Sequence, residues 1–272
     1  MSDAVREISA TLPRWPDWTE VRLFRGVVRA FLERDIRVRY RQTFLGAAWI
    51  LAYPLLAAGT FTVIFGRLAH LSSGGGNYFV YTFAGMTVWS AVSATFMRSA
   101  TSIIGNGGVV TKVYFPRILL PVATWAATLV DAAISILALI VCSLLAGETT
   151  WWVLLLPVFV VLASVLGLGM GMIFCGPTVK YRDLAYILPV GIQLLLFLMP
   201  VGYGREAVPS KWLWLYDLNP IAPWIDASRH GVVGSGVPQL RYFGLSLLIT
   251  AVVVVIGITR LERSTRYLAD VL

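Results

Sequence analysis

Six stretches of the sequence are long, apolar and nearly free of charge: residues 45–66, 78–97, 118–147, 149–179, 184–204 and 242–259, with Asp131 the single charged interruption. A helix rises about 1.5 Å per residue, so each run reaches or approaches the ~20 residues that carry a chain across the hydrocarbon of a bilayer. The expectation is an all-α membrane protein with six transmembrane helices and both termini on one side. Composition agrees. Of the 272 residues 58% are hydrophobic and 13% charged, with a mean hydropathy of +0.77, against roughly 45–50% apolar residues in ordinary domains. A water-soluble domain could not hide that much apolar surface. More than forty residues precede the first run and five further runs follow it, which argues against a cleavable signal peptide.

Charge sets the orientation. Nine Lys and Arg precede the first run; Arg98, Lys112 and Arg117 separate the second from the third, Lys180 and Arg182 the fourth from the fifth, and Arg260, Arg263 and Arg266 follow the last. That is seventeen on one face against five on the other, so the positive-inside rule puts both termini in the cytoplasm. The expected division is a cytoplasmic segment over 1–44, a six-span domain over 45–259 and a cytoplasmic tail over 260–272. Anionic lipid headgroups are sufficient partners for the net charge of +8, and no nucleic acid is required.

Residues 21–40 read as an amphipathic helix, with Val21, Phe24, Val27, Val28, Phe31 and Leu32 largely on one side and Arg22, Arg25, Arg29 and Glu33 on the other. Such a helix lies in the membrane interface. Most loops are short. Residues 205–239 are the exception, apolar in places but broken by Pro209, Pro220, Pro223 and Pro238, and two short external helices are expected there, around Trp212–Tyr216 and Trp224–Ala227. Such pieces dip into the membrane or roof a cavity.

Several functions are excluded by what is missing. The chain has no G-x-x-x-x-G-K-[ST] loop, so it does not bind and hydrolyse ATP by that route. It has no G-x-S-x-G elbow, and its two histidines, His70 and His230, are isolated and external, which gives no metal site. Cys142 and Cys175 fall near opposite ends of neighbouring spans, some ~30 Å apart, far beyond disulfide reach, and read as packing residues. Gly167 and Gly171 permit close helix approach, within the chain or at a seam with a second copy. The two halves show no repeat.

Asp131 sits about halfway along the third span, where an ionisable group is costly and marks function by default. With no membrane-embedded His, Lys or Arg in view, a structural or pore-facing hydrogen-bonding role is favoured over proton coupling. Tyr53, Phe61, Phe83 and Trp89 lie well inside their spans, away from the interfacial zone of aromatic belts. Two readings stand: lipid-facing filler, or a path along which sugar rings stack on aromatic faces.

Five motifs, in order, resemble a known family. They are "ERDIRVRYRQTFLGAAWILAYPL" (33–55), "NGGVVTKVYFPRILLPVA" (106–123), "KYRDLAYILP" (180–189), "LNPIAPWIDASRHGV" (218–232) and "LERSTRYLADVL" (261–272). R-D-x-x-x-R-Y ahead of a span and F-P-R-x-x-x-P are the more specific of them. The chain resembles the membrane subunits of ATP-binding-cassette type 2 exporters, in the branch that moves lipid-linked polysaccharides and polyol phosphates: O-antigen, capsule, teichoic acid and galactan permeases. The resemblance implies a homodimer in the bacterial cytoplasmic membrane paired with two separate ATPase subunits that hold ATP and Mg, with no cofactor in this chain. It implies ATPase coupling through Val113, Tyr114, Phe115, Pro116 and Arg117, and through Lys180, Tyr181, Arg182 and Asp183. It implies an external gate around Trp212, Trp214, Asn219, Pro220 and Arg229, and a lateral entry for the lipid anchor beside spans one and five. Arg34, Arg37, Arg39 and Arg41 are then candidates to attract the lipid pyrophosphate through charge-assisted hydrogen bonds, or else plain topology anchors. Two other functions stay open at this point. One is a type 2 permease for drugs or small lipids. The other is a polytopic glycosyltransferase or acyltransferase, for which the external loops offer only Glu206, Asp217, Asp226 and His230.

Overall fold

The structure is a computed structural model that describes residues 18–40, 48–110, 112–235 and 238–271. Those residues form helices and connecting turns, with no strand among them. Two helices precede the apolar runs, α1 (Trp18–Leu23) and α2 (Arg25–Tyr40). The first run becomes α3 (Ala48–Phe61), continued by a π-helical stretch, Thr62–Leu68. The second is α4 (Tyr78–Thr101); after the short α5 (Gly107–Val110), the third is α6 (Leu119–Ala146) and the fourth α7 (Leu156–Lys180), entered through a 3-10 turn, Trp151–Leu155. Then come α8 (Leu184–Leu198), the short α9 (Leu213–Leu218), α10 (Ala222–Val233) and α11 (Leu240–Val271).

Five of these segments are long and apolar enough to cross a membrane: Ala48–Leu68, Tyr78–Thr101, Leu119–Ala146, Trp151–Lys180 and Leu240–Ser264. The fifth apolar run differs from the sequence expectation. Its helix, α8, stops after 15 residues because Pro200 disfavours helical geometry at the residue before it, and the chain leaves helical geometry at Met199. At 1.5 Å per residue α8 spans roughly 22 Å.

α4 is the centre of the bundle. It is enclosed by α7, α6, α3 and α10, and α11 packs on the far side of α7. The seam between α4 and α7 exists because α7 has no side chain where the helices meet: a Cβ on Gly167 would lie 2.3 Å from the Val92 carbonyl oxygen, and one on Gly171 2.4 Å from Ser99 Cβ. Both glycines therefore serve close approach within the chain. Cys175 packs at the same seam, fully buried, with its thiol donating to the Ser99 carbonyl at 2.7 Å, and the two cysteines are free.

Capping fixes the ends. Asn77 accepts at its side chain from the backbone N–H groups of Phe79 and Val80 to start α4, while Glu148, at the end of α6, accepts from the Asn77 N–H at 2.8 and 3.0 Å. Gly147 ends α6 in the left-handed region, φ 73°, which a side chain rarely adopts. At the face that carries α2, called here the basic face, Phe31, Phe115, Leu119, Val179 and Leu261 share one apolar cluster, so the amphipathic helix is packed onto α6 rather than lying apart from the bundle.

Candidate functional site

A cavity of about 490 Å³ opens in the wall of the bundle between α3, α4 and α6, with Ile192 of α8 at its rim. The helical period builds it. On α4, Thr87, Ser90, Ala94 and Arg98 recur at intervals of three or four, and on α6 Thr124, Thr128, Asp131 and Ser135 do the same, which places each set on one face. The two faces meet. Arg98 Nη1 donates to Asp131 Oδ2 at 2.6 Å and to Thr128 Oγ1 at 3.2 Å, and Thr128 in turn donates to the Thr124 carbonyl. The Asp131 side chain is 10% exposed and that of Arg98 34%, so the carboxylate is sheltered while the guanidinium borders the cavity. Ser90 Oγ is buried with no hydrogen-bond partner among the described residues.

This corrects the sequence reading of Asp131, which saw no basic partner within a span. Arg98 lies one residue beyond the apolar run that ends at 97, where the sequence pattern predicts a loop, whereas α4 continues to Thr101. An arginine directly after an apolar run, facing an intramembrane Asp on the next span, was the signal available.

The four aromatic residues of interest separate. Tyr53 is 55% exposed and lines the cavity beside Trp49. Phe83 and Trp89 are buried in the core around α4, and Phe61 is buried in stacked contact with Phe65 and Phe197 at ring distances of 5.3 and 6.3 Å.

At the basic face, Arg34 donates from Nη2 to Asn106 Oδ1 at 2.6 Å while its guanidinium lies 4.9 Å from the Phe31 ring centroid. Asn106 Nδ2 passes the link to the Ser102 carbonyl at the end of α4. Arg34 is thus a strut between α2 and the turn after α4. Arg37 is exposed; the side chain of Arg39, and Arg41 as a whole, lie outside the described residues. Val113 and Tyr114 project outward, while Phe115 is buried with its ring 5.9 Å from Phe31. Pro116 and Arg117 are half-buried, and burial lowers the Arg117 pKa, with Glu262 opposing. Lys180, Tyr181, Arg182 and Asp183 are all exposed, and Val179 just before them enters the same cluster as Phe115, so both segments are presented on one face.

At the opposite face, Trp212 and Trp214 are exposed. Asn219 accepts from the Ile221 N–H at 2.9 Å and the Pro220 carbonyl accepts from Ser246 Oγ, which pins the turn into α10 against α11. α10 is not a surface piece: most of it is buried against α4 and α7. Arg229, expected at an external gate, is 1% exposed. It donates to the carbonyls of Pro200, Val201 and Tyr203 just past the end of α8, and its guanidinium lies 3.8 Å from the Tyr81 ring centroid. Those carbonyls are the orphans that a helix end and its turn leave behind, and they satisfy the two terminal nitrogens of the buried arginine.

Comparison with known proteins adds the family. The family model described as ABC-2 type transporter matches residues 27–233. An O-antigen export system permease protein of Klebsiella pneumoniae is 25% identical over 241 residues, covering 88% of this chain and 92% of the relative. One from Myxococcus xanthus is 28% identical over 205 residues, 74% of this chain and 78% of the relative. The polysialic acid transport protein of Escherichia coli is 26% identical over 237 residues, 82% and 88% of the two chains.

Proposed function

Because the chain belongs to the ABC-2 type transporter family, we propose that it is the membrane permease of an exporter that carries a lipid-linked cell-envelope polysaccharide out of the cytoplasm, driven by a separate ATPase. Three polysaccharide-system relatives aligned over most of their length favour a glycan over a drug or small lipid. The observation within the chain that supports the reading is the cavity beside Arg98 and Asp131: a hydroxyl-lined, partly charged recess inside otherwise apolar helices. A hydrophilic polymer cannot cross hydrocarbon unaided, and polar groups at that depth face a wetted route or a buried partner. Tyr53 and Trp49 give the recess two aromatic faces on which sugar CH groups stack. Residues of α3 and α8 border it, the positions at which a lipid anchor would enter from the side.

In the same reading two copies of the chain pair with two ATPases that bind ATP and Mg. Tyr114 and the 180–183 turn dock on those ATPases, Arg37, Arg39 and Arg41 attract the lipid pyrophosphate, and the basic face is cytoplasmic. Loss of the chain from the source bacterium is expected to leave the lipid-linked glycan inside the cell and remove it from the surface. Wild-type surface glycan in the null strain, or export by the chain without its ATPase, overturns the reading.

A further inference from the structure

A second cavity, of about 230 Å³, lies at the face opposite α2, between the start of α4, the 204–206 turn, α9, α10 and the start of α11. Its chemistry differs from that of the lateral cavity. Three carboxylates, Glu206, Asp217 and Asp226, and two guanidinium groups, Arg205 and Arg229, line it, leaving one net negative charge. Asp217 is matched by Arg205, whose Nε and Nη2 donate to its two oxygens at 2.9 Å each. Asp226 accepts from the Tyr216 hydroxyl at 2.9 Å on both oxygens and more distantly from Arg229, at 3.4 Å. Glu206 makes no hydrogen bond or ion pair among the described residues.

Tyr81 supplies the independent sign of a ligand. The residue is 4% exposed, its ring is held over Arg229, and its hydroxyl makes no hydrogen bond among the described residues while it lines the cavity. That oxygen opens onto the cavity and is free to bond what enters it. Arg229 Nε, behind the ring, is enclosed without a partner. The Tyr81 hydroxyl and Glu206 Oε2 converge on Gly204: a Cβ built there would sit 2.7 Å from the first and 2.6 Å from the second. Gly204 has extended backbone, φ −102° and ψ 175°, which any residue adopts, so what the glycine provides there is room for both oxygens to approach the backbone.

Resting on the glycan-export reading, we infer that this cavity is a saccharide subsite, in which one sugar ring presents a hydroxyl to the Tyr81 hydroxyl and the Glu206 carboxylate where they line the cavity. Ionised carboxylates only accept, and sugar hydroxyls donate to them in pairs. Tyr242 and Pro238, half-exposed in the wall, supply the flat apolar surfaces that the CH face of a ring requires. The Tyr216 proton is retained, because burial first and Asp226 next push its pKa far above the phenol range. With two of three carboxylates already matched by arginine, the cavity suits a neutral polyol better than a cation. Its volume lies below the ~300 Å³ at which drug-sized sites begin, which suits a single ring.

The test uses the full chain in lipid nanodiscs and saturation-transfer NMR with the methyl glycosides of glucose, galactose, mannose, rhamnose and N-acetylglucosamine. At least one is expected to bind, and Gly204→Ala, whose methyl drives the Tyr81 and Glu206 oxygens apart, is expected to weaken it at least tenfold, about the value of one hydrogen bond to a charged group. Tyr81→Phe keeps the ring over Arg229 and removes only the hydroxyl, and Glu206→Gln removes only the charge; each should weaken the same glycoside. No binding by any glycoside, binding indifferent to Gly204→Ala and Tyr81→Phe, or capture of Ca²⁺ in place of sugar overturns the inference. Export measured in parallel separates the two ideas: intact export without glycoside binding removes the subsite alone, whereas wild-type surface glycan in a null strain removes the export reading.

Discussion

Arg98 on α4 and Asp131 on α6 are joined across 2.6 Å, an ion pair between two helices whose apolar runs carry no other charge. Breaking such a pair leaves one charge stranded, which costs more than the pair itself contributes.

Asp131→Asn and Arg98→Gln are therefore each expected to destabilise the chain by roughly 2–3 kcal/mol, below the usual 3–5 for a fully buried pair because Arg98 borders the cavity. The double replacement Arg98→Met with Asp131→Leu should recover most of the loss. Thermal unfolding in detergent reads both, and a double variant no more stable than the singles contradicts the account.

Tyr114 and Phe115 are adjacent but opposite in burial, so their alanine variants should part. Phe115→Ala empties a place in the cluster with Phe31 and is expected to cost about 3–4 kcal/mol. Tyr114→Ala should leave the melting temperature almost unchanged and suppress the response of ATP turnover to substrate in the assembled complex. Fully substrate-responsive turnover in Tyr114→Ala removes this residue from the coupling surface.

Arg34→Gln is expected to lower stability by about 1–2 kcal/mol through its lost bond to Asn106. Arg37→Gln, exposed and without that strut, should keep stability and reduce glycan export if it attracts the pyrophosphate. Equal stability in both variants denies the strut.

Gly167→Ala pushes a methyl into the Val92 carbonyl and should cost roughly 1–3 kcal/mol or more. Gly59→Ala meets nothing within 4 Å and gains helix propensity, so it should be neutral or stabilising by up to about 1 kcal/mol. Similar melting shifts in the two variants refute the contrast.

Arg205 holds the Asp217 carboxyl below its ordinary value of 3.8 through their hydrogen bonds. A depressed folded pKa contributes stability above the unfolded value that is lost as pH falls through the folded one. The wild type should accordingly lose a small increment, less than about 1 kcal/mol for so open a pair, on acidification below about pH 4. Asp217→Asn should lack that increment; an identical acid profile in the variant excludes it.

The helices were legible because each apolar run is long enough to need no partner for its identification. α4 and α6 end within four residues of their apolar runs, while α11 continues twelve residues beyond its run, to Val271. The fifth run was misjudged in length: composition counts Pro200, Gly202 and Gly204 as harmless, whereas the backbone turns there. Arg98 and Arg229 were misplaced for a related reason. Assigning charges to loops is sound on average, but a long side chain at a helix end or on a buried short helix finds a carboxylate, carbonyls or an aromatic face that only tertiary packing brings near. Tyr114 and the 180–183 turn were singled out only through the resemblance, and both are exposed; the burial of Phe115 beside Tyr114 was not legible, since it depends on where α2 comes to rest.

The bare meeting of α7 with α4 at Gly167 and Gly171 has a mechanical consequence. A seam in which an added methyl would strike backbone at 2.3 Å has no slack, and close-packed interfaces shift between discrete arrangements rather than yield gradually. These two helices form a keel. Under the export reading proposed above, a stroke that widens the lateral recess would move the thinly attached walls, α3 and α8, at the periphery of the bundle and leave its axis standing.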